Sequence, residues 1–119
     1  MNRELKNIIL VLVCGLFICA ACSKETGKTK GIKKIHKEYQ NGFISECQLN
    51  DVLVYTAGIN AYDAGSAIYD IEGELLGTCN YAWGTPDDIC SELTDCERVY
   101  SVPDNIWGWD ELDKYNLGF

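Results

Sequence analysis

The spacing of hydrophobic positions divides the chain into three stretches. In the first, residues 8–18 form an unbroken apolar run, entered through Arg3 and Lys6 and left through Ala20 and Ala21. A basic start, a short apolar core and small residues make a cleaved secretory signal. The run is shorter than the roughly 20 residues that a permanent membrane-spanning helix needs.

The second stretch, residues 22–37, is polar and lysine-rich, with isolated apolar residues at Ile32 and Ile35. Such a composition buries too little surface to fold alone, so it is expected to be a flexible tether. Ile32, Ile35 and Tyr39 have the spacing to begin a short helix, which Asn41-Gly42 would stop.

The third stretch, residues 38–119, alternates as strands do. Residues 43–57 predict a hairpin: residues 44–49 alternate, Asn50-Asp51 is a two-residue turn that tolerates positive φ, and residues 52–56 are rich in β-branched and aromatic side chains. Residues 58–65 form a loop. A second hairpin follows, residues 67–70 returning through Glu72-Gly73 to residues 75–79. Thr85-Pro86-Asp87-Asp88 predicts a helix start with Thr85 as cap, the helix running to about Thr94 with Ile89, Cys90 and Leu93 on its buried stripe. Residues 98–102 predict a strand ended by Pro103, and residues 110–115 a last helical turn. The expected fold class is α+β: a small antiparallel hairpin sheet with one or two short helices.

Charge sharpens this division. Residues 23–37 hold six lysines against Glu25, a net of +5, whereas residues 38–119 hold Arg98 and Lys114 against 16 acidic residues, a net of −14. So acidic a domain repels phosphate backbones and makes nucleic acid a poor partner. The domains expected are therefore a signal (1–21), a basic tether (22–37) and an acidic globular domain (38–119).

Of seven cysteines, Cys14 and Cys19 leave with the signal. Cys47, Cys79, Cys90 and Cys96 remain in the domain, an even number that suggests disulfides in an exported protein. Three pairings are possible; short spacing around a helix end favours Cys90–Cys96, leaving Cys47–Cys79 to join strands. A zinc site would lack a Cys-x-x-Cys spacing, and the single histidine, His36, falls in the tether, so neither metal nor cofactor is expected.

Ala20-Ala21-Cys22 resembles the lipobox of bacterial lipoproteins, with Cys19 standing where that family prefers leucine. The resemblance implies that Cys22 becomes the acylated first residue. It also implies an envelope location, with Ser23 in place of a retaining aspartate pointing to the outer membrane. The mature part resembles small surface or periplasmic lipoproteins that carry no assigned activity, so no catalytic residue is transferred.

The acids Asp87, Asp88, Glu92, Asp95 and Glu97 lack the ordered spacing of a calcium loop and read as solvated or helix-capping charges. No nucleophile–base set is present. Tyr62, Tyr81, Trp83, Trp107 and Trp109 fall in expected loops. Flanking glycines assign Trp83 and Trp107 to the core, while Tyr62, Trp83 and Trp109 are the candidates to line a partner-binding patch. The function expected is non-catalytic: a lipid-anchored module for an unknown protein or glycan. The alternatives are an inhibitor of an exported hydrolase that inserts the Cys90–Cys96 loop, and a small hydrolase using paired carboxylates.

Overall fold

The computed structural model describes residues 27–80 and 84–119; Cys22, Tyr81 and Trp83 lie outside the described residues. Helix α1 (Gly27–Glu38) precedes strands β1 (Gly42–Leu49), β2 (Val52–Ile59), β3 (Ser66–Tyr69) and β4 (Leu75–Cys79). A 3₁₀ turn (Asp88–Glu92), β5 (Leu93–Ser101) and β6 (Leu112–Asp113) complete the order. The strands form one six-stranded sheet in the order β4-β3-β2-β1-β5-β6, every pair antiparallel. This is the small α+β fold with disulfides that the sequence predicts. Among the described residues no helix is long and apolar enough to cross a membrane.

Local chemistry builds both hairpins. Asn50 and Asp51 adopt φ of 50° and 64°, the doubly positive pair of a type I′ turn, and set the register Leu49↔Val52. In the second hairpin the Asp70 carboxylate accepts from the backbone N–H groups of Glu72 and Glu74 at 2.9 and 3.0 Å, closing the turn around Gly73.

Alternation then separates two cores. Ile44, Tyr55, Ala57, Ala67, Tyr69 and Tyr100 lie on one face with Ile32 and Ile35 of α1. Cys47, Val54, Ile68 and Cys79 lie on the other, backed by Ile89, Cys90 and Leu93. Register breaks in the β1–β5 pairing, between Ile44 and Ser45 and between Glu46 and Gln48, mark bulges, and Asp95 has a φ of 51° at the second.

Four expectations are corrected. The basic stretch is helical from Gly27, and Ile32 and Ile35 are 2% and 1% exposed, so the folded unit begins inside the expected tether. Two isoleucines one turn apart give the helix an apolar stripe once a sheet is there to receive it, a tertiary contribution that composition does not register. Gly31 is the point of closest approach, where a methyl group would overlap the Ile71 carbonyl of the β3–β4 turn. His36 is accordingly no tether residue: it is 7% exposed, and its Nε2–H donates to the Gly118 carbonyl at 2.7 Å.

The helix expected at residues 85–94 is only the 3₁₀ turn, with Asp87 at its N-cap and no side-chain cap bond. The Asp87 carboxylate instead accepts from the Thr78 N–H at 2.8 Å, occupying the outer edge of β4. Leu93 onward is drawn into β5 by the free edge of β1. The last helical turn is likewise replaced by β6, which pairs with β5 through Ser101↔Leu112 and Tyr100↔Asp113.

The disulfides are Cys47–Cys96 and Cys79–Cys90, neither of them the favoured pairing. Because β5 lies beside β1, Cys96 meets Cys47 across two strands, whereas Cys90 reaches back over β4 to Cys79. On the chain-entropy model the wider loop, 49 residues against 11, confers the larger stabilisation, about 4 against about 3 kcal/mol. Urea unfolding of the paired serine variants should show losses in that order. A non-reducing peptide map that joins Cys90 to Cys96 would contradict the topology.

Candidate functional site

An aromatic cluster caps one end of the sheet, on the face opposite α1. Phe43 leads β1 and alternates with Ile44, which faces the helix. Its ring meets Trp107 and Trp109 edge-on, at centroid distances of 5.1 and 5.5 Å. The two indoles stack on each other at 4.7 Å with planes 23° apart. The Arg98 guanidinium lies 4.3 Å from the Trp109 ring centroid, so Trp109 has its π-surface engaged by both Trp107 and Arg98.

The loop carrying the indoles is held by side-chain amides. Asn105 Nδ2 donates to the carbonyls of Val102 and Trp109, both at 2.9 Å, and its Oδ1 accepts from the Trp109 N–H at 2.9 Å. One asparagine therefore closes a loop across four residues, with Gly108 at φ 70° supplying the left-handed step between the indoles. Asn60 Oδ1 accepts from the Ile106 N–H at 2.8 Å and ties this loop to the end of β2. The Ser101 hydroxyl donates to the Asp110 carbonyl at 2.7 Å and fixes the far side.

Between the clamped loop and the β2–β3 connection lies an open groove of about 400 Å³. Phe43, Trp107 and Trp109 form one wall, and Ile59, Tyr62 and Asp63 the other. Tyr62 is 81% exposed at the rim. Asp63 is the one carboxylate among the described lining residues. A second groove of about 360 Å³ shares Ile59 and residues 64–66 and extends past Tyr39 toward Asn80.

The structure thus brings two expected site residues, Tyr62 and Trp109, to one concavity, while Trp83 lies outside the described residues. Trp107 lines the same groove, although its neighbouring glycine suggests a core position. Phe43, Asn105 and Arg98 are contributors that strand and turn patterns do not single out. Only the closeness of three aromatics to a Pro-Asp-Asn turn hints at them.

The acidic cluster is dispersed over separate tasks. Asp87 caps the β4 edge, Asp95 sits in the bulge, and Glu97 lies 3.7 Å from Lys114. Among the described residues no three His, Cys, Asp or Glu side chains gather as metal ligands would. The four domain cysteines are bonded, so none offers a thiolate. No protein-family model matches the chain, and neither does any curated protein or solved structure.

On the helix side of the sheet, three tyrosines resist ionisation. Burial pushes the Tyr69 phenol well above its ordinary value, and its 2.7 Å hydrogen bond with Tyr39 adds to the effect. Burial and then the Glu46 carboxylate raise Tyr55. Burial and then Asp113 raise Tyr100, whose hydroxyl donates to the Gln40 carbonyl at 2.6 Å. A phenol raised in the folded state keeps its proton where the unfolded chain has lost it, so folding is penalised above the unfolded value near 10. Stability should hold through neutral pH and fall as the pH climbs past that value, with the phenolates of Tyr55, Tyr69 and Tyr100 forming only together with loss of structure. Ionisation of any of these three, read by residue-resolved ring NMR in a chain that stays fully folded, would contradict this.

Proposed function

We propose that the protein is a lipid-anchored envelope module that binds a partner without transforming it, and that the groove beside Trp107 and Trp109 is the seat. A concave apolar site of about 400 Å³ with walls fixed by Asn105 and Asn60 is the observation that carries this reading. Its size is that of ordinary ligand clefts, and walls held in place limit the ordering cost of binding. Anchoring through acylated Cys22 completes the reading, because a diffusing partner would be captured at a bilayer.

Exposed aromatic rings suit either a sugar face or an apolar side chain of a protein. Trp109 is already covered by Trp107 and Arg98, so the most exposed ring at the groove is that of Tyr62. Inhibition of an exported hydrolase through a closed Cys90–Cys96 loop loses its structural motive, since Cys96 is bonded inside the sheet. A carboxylate hydrolase is likewise left with a solitary acid, Asp63, at this groove.

The test uses the full chain on a glycan array and in cross-linking pull-downs from envelope extracts, beside Tyr62→Ala. Enriched partners should weaken by about tenfold or more in the variant, equivalent to about 1.4 kcal/mol. Their binding should also shift the tryptophan emission. An empty array and empty pull-downs, or partners indifferent to Tyr62→Ala, would overturn the proposal.

A further inference from the structure

We infer that the outer face of α1 is a contact surface for an anionic lipid bilayer, which orients the domain with its aromatic cluster on the side away from the membrane. The inference rests on the reading of Cys22 as the lipid anchor.

Lys30, Lys33, Lys34 and Lys37 are all exposed, and their spacing places them on one stripe of the helix. The opposite side is committed to the sheet, with Ile32 and Ile35 2% and 1% exposed. The helix therefore has no apolar face left to insert, and its attraction to a membrane is that of ammonium groups for headgroup phosphates. Because α1 is packed into the domain, such contact holds the whole domain rather than a loose leash.

The distribution of charge gives the contact its direction. Residues 27–38 hold five lysines against Glu38, a net of +4, whereas residues 39–119 hold Arg98 and Lys114 against 15 acidic residues, a net of −13. An anionic surface attracts the first and repels the second. Lys34 also pairs with Glu74 at 2.7 Å, but both side chains are more than half exposed, and so solvated a pair is readily exchanged for a phosphate. Four residues separate Cys22 from Gly27, and the five Cα–Cα steps reach at most about 18 Å, so the helix cannot stray far from the headgroups. The aromatic cluster occupies the sheet face opposite α1 and stays open to a partner arriving from solution.

The test is acetylation of lysines on the full acylated chain, reconstituted into vesicles of phosphatidylcholine alone or of phosphatidylcholine with phosphatidylglycerol, and read residue by residue by mass spectrometry. Lys30 and Lys37 lie about 10 Å apart along the helix axis, more than the screening length of about 8 Å at physiological salt. A helix lying flat should therefore show both residues slowed several-fold, and equally, on the anionic vesicles, with the protection removed by high salt. Equal rates on both vesicles, or protection at Lys30 that fades before Lys37, would overturn the inference. The same spectra report the mass of residue 22. Protection without an acyl group there would retain the face and remove the anchor, whereas an acylated chain lacking protection would do the reverse.

Discussion

The seating of α1 on the sheet is the contact from which the rest of the architecture follows. Ile32 and Ile35 fill the space above Ile44, Tyr55 and Tyr100, and burying each contributes about 1.5–3 kcal/mol. Polar contacts then lock the position. His36 reaches the Gly118 carbonyl, and Tyr39 meets the Tyr69 hydroxyl. The helix thereby touches both the second hairpin and the C-terminal segment, elements that do not pair with each other in the sheet. Without it, one face of the sheet would present its aromatic and aliphatic side chains to water.

The opposite face is closed by different means. A domain this small has little apolar surface to bury, and among the described residues no second α-helix covers this face. Two disulfides, a 3₁₀ turn and a pair of stacked indoles serve instead, each covering part of the sheet. Coverage by pieces leaves a gap between the indole loop and the β2–β3 connection, and that gap is the groove. Covalent closure on this face and helix packing on the other together leave a concavity in an otherwise compact sheet. The same division sets the electrostatics, with lysines outside the helix and carboxylates over the remainder.

The parts legible from sequence are those decided by neighbours in the chain. Asn50-Asp51 dictates its own turn, and Asp70 with Gly73 dictates the next, so both hairpins are read correctly. The exposed Tyr62 is legible because the loop that carries it is rich in small and polar residues. The illegible parts are set by distant partners. The spacing of Ile32, Ile35 and Tyr39 hints at a short helix, but lysines give residues 27–38 the composition of a tether, and only the sheet reveals that two isoleucines are enough to fix it. Thr85-Pro86-Asp87-Asp88 has the letters of a helix start, yet Asp87 is used by the β4 edge and the following residues by β1. Cysteine pairing depends on β5 lying beside β1, which no spacing along the chain encodes. Trp107 and Trp109 meet Phe43 for the same non-local reason.

Amide hydrogen exchange along the full chain tests most directly whether α1 is an integral layer. If it is, the amides of Ile35 and His36 exchange only through global opening, with the same free energy as those of Ile44 and Tyr55 in the central hairpin. Exchange of the helix amides at open-chain rates, while the hairpin stays protected, would contradict it and return residues 27–38 to the status of a tether.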